Sequence, residues 1–172
     1  MDDHISNVEH LEDVDAIKKM QELVKHNSMC LFTTQTEYAP LPTRPMATQE
    51  VDDEGNFWFM SSNDSHKNEE IHADHRVQLF FSNPGDSEYM TVYGTAQITR
   101  DRKRIEELWN PMVKAWFTEG KDDPRISVIK VIPEESYYWD TKHSKMVAMM
   151  KVMVSALIGK TMDDSLEGKL KP

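Results

Sequence analysis

Apolar residues in "DVDAIKKMQELVKHN" fall at Val14, Ile17, Met20, Leu23 and Val24. That spacing places them on one face of a helix, with Asp13 or Asp15 positioned to cap its start. "SMCLFTTQT" then reads as a short buried strand. "YAPLPTRPMATQEV" is extended, because its three prolines disfavour a helix and suit an edge or irregular strand. "DDEG" is a tight turn and "NFWFMSS" the returning strand, which makes a first hairpin. After a short polar helix, "SHKNEEIHADH", a second hairpin follows: "RVQLFFS", the turn "NPGDSE" and "YMTVYGTAQIT". Asp101 caps "RKRIEELWNPMVKAWF", a helix that Pro111 should kink or break. "TEGKDDPR" is a loop, and "ISVIKVIPEESYYWD" reads as two strand segments separated by a turn at Pro133. A Met-rich helical stretch and a charged tail complete the chain. Six or seven strands joined mostly as hairpins imply antiparallel pairing. That many strands favour a barrel, which removes open edges. The expectation is α+β: a mostly antiparallel barrel with flanking helices.

Composition narrows the function. The 172 residues are enough for one domain with a sizeable core. A hydrophobic content of 38% and a charged content of 29% fit a globular chain rather than a disordered one. The formal net charge of -10 argues against a general affinity for nucleic acid, yet leaves room for a local basic pocket. Cys30 is the sole cysteine, so an intrachain disulfide is impossible and a reducing compartment is favoured. The acidic opening stretch lacks the apolar core of a secretory signal. The longest apolar stretch, 146–159, is interrupted by Lys151 and too short to span a bilayer. A cytoplasmic protein is expected.

One segment suggests chemistry. In "NFWFMSSNDSHKNEE" an aromatic strand gives way to hydroxyl and amide residues and then to a lysine. Ser61, Ser62 and Ser65 offer hydroxyl donors, Lys67 a cation, and the following helix its positive end, as a phosphate requires. The same residues also read as a strand-to-helix connection with Ser65 or Asp64 as N-cap. Arg44, in "TRPMATQ", lies just before the hairpin that carries Lys67, and strand pairing would bring both to one end of a barrel. Trp109, Trp116, Phe117, Tyr137, Tyr138 and Trp139 could stack on a planar cofactor or pack in the core and at interfaces. His66, His72 and His75 lack a further ligand at zinc spacing, and their acidic neighbours read as a solvated face, so no metal is expected. No Gly-rich phosphate loop and no nucleophile elbow is present.

Taken in order, "TRPMATQ", "DDEGNFWFMSSNDSHK" and "YGTAQITRDRKRIEELWNPMVKAWFTEGKDDPRISVIKVIPEESYYWD" resemble the FMN-binding split barrels related to pyridoxamine 5'-phosphate oxidase. The similarity is to the general-stress-protein branch and covers about residues 13–140, leaving 141–172 as a C-terminal helical segment and tail. The resemblance implies a six- or seven-stranded split barrel and a homodimer with FMN in clefts between the subunits. It implies that Arg44, Pro45 and Met46 line the flavin ring and ribityl chain, that Gln49 ends that segment near the cofactor, and that Met60 and Ser61 touch the flavin. It implies a basic pair, His66 and Lys67, at the phosphate. Trp139 would approach the ring from the second subunit, and Trp116 would sit at the rim of the cleft.

The chain departs from the true oxidases after Trp139. They carry an Arg-x-His element that binds the substrate phosphate and the pyridoxal ring region. Here "DTKHSKMVAMM" places Lys145 and Val147 at those positions, with Lys142, His143 and Lys145 as candidates for another anion. Two functions follow from the resemblance: an FMN-dependent oxidoreductase with a stress-related role, or a non-enzymatic FMN store or redox sensor. Related barrels that hold haem or a deazaflavin form a third class.

Overall fold

In the computed structural model, which describes residues 8–141 and 165–172, the chain runs β1 (Leu11–Glu12), α1 (Asp13–His26), β2 (Met29–Thr34), β3 (Thr43–Val51), β4 (Phe57–Ser62), α2 (His66–Ala73), β5 (Arg76–Asn83), β6 (Glu88–Thr99), α3 (Arg102–Leu108), α4 (Pro111–Trp116), β7 (Ile126–Thr141) and β8 (Ser165–Lys171). Six strands close on themselves in the order β7-β4-β3-β2-β5-β6, and β6 returns to β7. Every pairing in this ring is antiparallel. The architecture is therefore the α+β, mostly antiparallel split barrel with flanking helices that the sequence leads one to expect. Both hairpins, β3–β4 and β5–β6, form as read from the turn signals.

Alternation decides what fills the barrel. On β2 and β4, residues Cys30, Phe32, Phe57 and Phe59 point inward and are buried, and Phe32 meets Phe59 edge-on at 5.2 Å. Val77, Leu79 and Phe81 of β5, Met90 and Val92 of β6, and Ile129 and Val131 of β7 complete this interior. The opposite parity on β4 and β7 meets a second cluster. Ile126 and Val128 of β7 pack with Ile105, Leu108, Val113 and Phe117 of α3 and α4, with Trp58 and Met60 alongside. Each face of an antiparallel strand is thus buried by a different partner, the interior by the ring itself and this outer patch by α3–α4.

Helix α1 packs on the barrel through Ala16, Met20, Leu23 and Val24. Val14, expected on that face, is exposed, and Ala16 takes the inward position. Neither Asp13 nor Asp15 caps α1; Glu12 holds the N-cap position without a side-chain hydrogen bond. The break at Pro111 forms as expected. Asn110 accepts from the backbone N–H of Met112 and Val113, and Pro111 opens α4, where its missing N–H costs nothing.

Two further expectations are corrected. The segment around Pro133 is one continuous strand, β7, rather than two strands and a turn. Its register against β6 shifts between Tyr93 and Gly94, which pair with Glu135 and Pro133, so a bulge absorbs the proline. Gly94 makes room for this, since a Cβ there would lie 2.1 Å from the carbonyl oxygen of Ile132. The charged tail also ends as a strand: β8 pairs antiparallel with Ser136–Thr141 of β7. The N-terminal segment then runs parallel to β8. Gly168 permits that approach, because a Cβ would meet the Glu9 carbonyl oxygen at 1.7 Å. The Met-rich stretch expected to be helical lies outside the described residues.

Candidate functional site

Antiparallel pairing brings the start of β3, the end of β4 and helix α2 to one end of the barrel. Arg44 shares the inward parity of β3 with Met46, and it reaches the barrel mouth opposite Phe32. Its Nη1 donates to Thr34 Oγ1 at 2.8 Å and its Nη2 to Glu70 Oε2 at 2.7 Å. Thr34 Oγ1 donates to the same carboxylate oxygen at 2.5 Å. Thr34 is fully buried and Glu70 mostly so, and the guanidinium is therefore held in one orientation. A guanidinium has five N–H donors, and Thr34 and Glu70 engage only part of that set.

Lys67 lies on the same helix as Glu70. Its Nζ donates to Ser65 Oγ at 3.1 Å, and among the described residues no carboxylate bonds to it. Burial, followed by the neighbouring Arg44 guanidinium, holds its ammonium below the usual lysine range; Asp64 and Glu70 work the other way. Two cations thus share one end of the barrel, and only Arg44 is in direct contact with a carboxylate. This is an environment that an additional anion relieves.

Behind the cations lies a buried polar network. Ser61 Oγ donates to Asn68 Oδ1 at 2.7 Å, and Ser65 Oγ donates to the same atom at 3.1 Å. Asn68 Nδ2 donates to Ser127 Oγ at 3.0 Å, and Ser127 Oγ donates to the Ser61 carbonyl at 3.1 Å. The network ties α2 to β4 and β7, and with it the positions of Lys67 and Glu70. Ser65 stands at the N-cap position of α2 but caps nothing with its side chain. Its hydroxyl is turned to Lys67 and Asn68 instead, so the simple capping interpretation does not describe this turn.

The other expected residues are distributed unevenly. Pro45 is exposed on the outer face of β3. Gln49, with the same parity, accepts from Asn110 Nδ2 at 2.7 Å and donates to the Ala47 carbonyl at 2.9 Å. Met60 lies on the outer face of β4 against the α3–α4 cluster. Met46 points into the barrel and belongs to its core, so its side chain does not line an external cleft. Ser61 is buried and its hydroxyl is committed to Asn68. The His66 imidazole is 95% exposed and lies 3.3 Å from Glu69, and no contact joins it to Arg44 or Lys67 among the described residues. Trp116 is 83% exposed on α4. Trp139 pairs with Tyr89, at the opposite end of the barrel from Arg44, so one subunit does not bring Trp139 and Lys67 together.

Among the other aromatics, Tyr138 is fully buried and donates to the Glu9 carbonyl at 3.1 Å, while Phe117 and Trp109 pack with α3–α4. Tyr137 and Trp139 lie together on the outer face, with centroids 4.9 Å apart. Leu31, Phe80, Tyr89 and Trp139 form an exposed apolar stripe across β2, β5, β6 and β7. A shallow groove of about 460 Å³ opens between Phe80, Tyr89, Thr91 and Trp139. Among the described residues, no group of three His, Cys, Asp or Glu side chains is placed to hold a metal ion. None of the described helices is long and apolar enough to cross a membrane. Burial pushes the Cys30 thiol up to about 12, which removes it as a nucleophile at neutral pH. Lys142, His143 and Lys145 lie outside the described residues.

Thr34, Glu70, Asn68 and Ser127 escape the sequence reading. The acidic run in α2 suggests a solvated face, yet Glu70 turns inward while Glu69 stays exposed. The available signal is spacing: Lys67 and Glu70 are three apart, as are Asn68 and Ile71, the two buried positions of α2.

The fold and this site define a split barrel with a cationic end built from a β-strand arginine and a helix lysine. The chain belongs to the pyridoxamine 5'-phosphate oxidase like family, whose model matches residues 15–163. Its similarity runs to the general stress proteins. It is 27% identical over 132 residues to Protein bli-3 of Neurospora crassa, covering 71% of this chain and 63% of that protein. The chain therefore spans less than two thirds of that curated relative. It is 25% identical to a general stress FMN/FAD binding protein from Xanthomonas citri, with a TM-score of 0.63 over 75% of this chain and 90% of that one. A Jannaschia sp. CCS1 protein classed with general stress protein 26 shares the fold at a TM-score of 0.79, covering 92% of this chain and 99% of that one at 19% identity.

Proposed function

We propose that this chain is an FMN-binding flavoprotein with a stress-related redox role, and that it works as a homodimer with the cofactor between subunits. The observation that carries this reading is the cationic end, where Lys67 makes no carboxylate bond among the described residues and Arg44 retains donors beyond Thr34 and Glu70. A phosphate monoester suits it, because charge-assisted N–H···O bonds to a phosphate are about twice as strong as neutral ones. Arg44 and Lys67 would bind the phosphate, and Ser65 would orient Lys67. Pro45, Gln49 and Met60 on the outer face of β3–β4, rimmed by Trp116, would flank the ring. A second copy of the chain would cover the apolar stripe and bring its own Trp139 toward the cleft.

When bound, the flavin supplies the hydride or electron transfer, and the protein supplies position and electrostatics. The residues named here bind and orient; none is assigned as a general base. Whether the flavoprotein turns over or stores and senses is decided by steady-state oxidation of reduced nicotinamides and of pyridoxamine phosphate. No turnover across such a panel favours the store or sensor.

The flavin itself is tested by the absorption spectrum of the purified protein and mass identification of the released cofactor. Flavin bands and the mass of FMN are expected. A haem Soret band, or a deazaflavin mass, overturns the reading.

A further inference from the structure

The contact between Glu70 and Arg44 is not one that a phosphate site needs. A carboxylate on the anion-binding guanidinium repels the anion. Yet Glu70 occupies Arg44 Nη2 at 2.7 Å and takes a second hydrogen bond from the buried Thr34 hydroxyl at 2.5 Å. It is fixed by its backbone as well, one helical turn beyond Lys67 and beside the buried Asn68 and Ile71. Side-chain exposures of 26% for Arg44 and 19% for Glu70 put the pair in a partly dehydrated setting, where a charge has more effect than on the surface. Glu69 next to it is exposed and directed at His66, so the inward acid is specific to position 70.

We propose that Glu70 is a positioning residue with a built-in counter-charge: it aims Arg44 into the phosphate end and opposes the phosphate that binds there. The inference rests on the reading of Arg44 and Lys67 as that end. The two effects have opposite signs and are separable by substitution. E70Q is nearly isosteric and keeps an oxygen acceptor for Arg44 and Thr34, so it preserves the aim and removes the opposing charge. E70A removes both. E70D keeps the charge and withdraws it by one methylene.

The experiment titrates wild-type, E70Q, E70D and E70A proteins, each first shown to have a cooperative thermal transition, with FMN, riboflavin and inorganic phosphate. Flavin fluorescence reports the first two, and the rise in thermal midpoint reports the third. E70Q is expected to bind FMN about two- to five-fold tighter than wild type, the size of one partly exposed charge interaction. Riboflavin, which has no phosphate, is expected to bind both proteins equally. E70A and E70D are each expected to bind FMN more weakly than E70Q, the first because the aim is lost and the second because the charge is kept. An E70Q protein that binds FMN no tighter than wild type overturns the proposal, as does equal tightening of riboflavin or an E70D protein that binds FMN as tightly as E70Q. If wild type binds neither flavin, the flavin reading fails by itself, and inorganic phosphate decides Glu70. A larger phosphate-induced rise in E70Q supports the counter-charge, and an equal or smaller rise overturns it.

Discussion

Two polar clusters in this barrel make opposite use of charge. At the β3–β4 turn, the Asp52 carboxylate accepts from the backbone N–H groups of Glu54 and Asn56, from Asn56 Nδ2, and from Trp58 Nε1 at 2.7 Å. Burial works against its charge, but these bonds prevail and hold its carboxyl below the usual range. Trp58 is in turn covered by the Arg104 guanidinium, 4.0 Å from its ring centroid. One anion is matched by several internal donors, and nothing is left for a ligand. At the α2 end, two cations are held by hydroxyls and a single contacting carboxylate. A cluster that satisfies itself stabilises a turn. A cluster that keeps donors unmatched, and is braced from behind by Ser61, Asn68 and Ser127, is suited to bind.

The sharpest way to break this contrast is to damage each cluster and read both stability and binding. Asp52→Ala is expected to lower stability by about 1–3 kcal/mol, as several donors, most of them partly buried, lose their acceptor at once. FMN affinity of the folded fraction should stay close to wild type. Denaturant unfolding and flavin titration measure the two. Lys67→Ala should do the reverse, weakening FMN by about 1.5–3 kcal/mol, the worth of a charge-assisted hydrogen bond, at nearly unchanged stability. Unchanged FMN affinity in that variant would remove the phosphate assignment.

pH sharpens the comparison further. The folded-state value of Asp52 is depressed, so its contribution is present above the unfolded value of about 3.9 and is lost as pH falls through the lower folded value. Acid unfolding of wild type should begin at lower pH than that of Asp52→Asn. The folded-state value of Lys67 is also depressed, by burial and Arg44 against Asp64 and Glu70, but here the charged form is the one that binds. FMN affinity should fall as pH rises on the alkaline side, before the ordinary lysine value of about 10.4. Lys67→Arg, charged throughout, should abolish that fall. The smallest effect is expected at His66. With its imidazole 95% exposed, His66→Ala should change stability by less than about 0.5 kcal/mol and leave FMN binding close to wild type.

The parts of the fold that were legible are those in which local chemistry and tertiary placement agree. The two hairpins follow from turn residues between apolar runs, and the α3–α4 break follows from Asn110 and Pro111. β8 was not legible, because "SLEGKLK" has no strand pattern of its own and becomes a strand through pairing with β7, aided by Gly168. From sequence the bulge at Pro133 reads as a turn, because proline alone does not show that Gly94 stands opposite it. In the site, the donors Arg44 and Lys67 were legible as residue types that bind phosphate. Their supports were not. Thr34, Glu70, Asn68 and Ser127 acquire meaning only once α2 is laid across the barrel end. The inward side chains of Met46 and Ser61 are likewise fixed by strand parity inside a closed ring.

The central claim is that this chain holds its cofactor by the phosphate through Arg44 and Lys67. The most direct test is parallel titration of cofactor-free wild-type protein with FMN and riboflavin, which share a ring and ribityl chain and differ in the phosphate. FMN is expected to bind at least about ten-fold tighter, as one charge-assisted phosphate contact requires. Equal affinities for the two would contradict the claim.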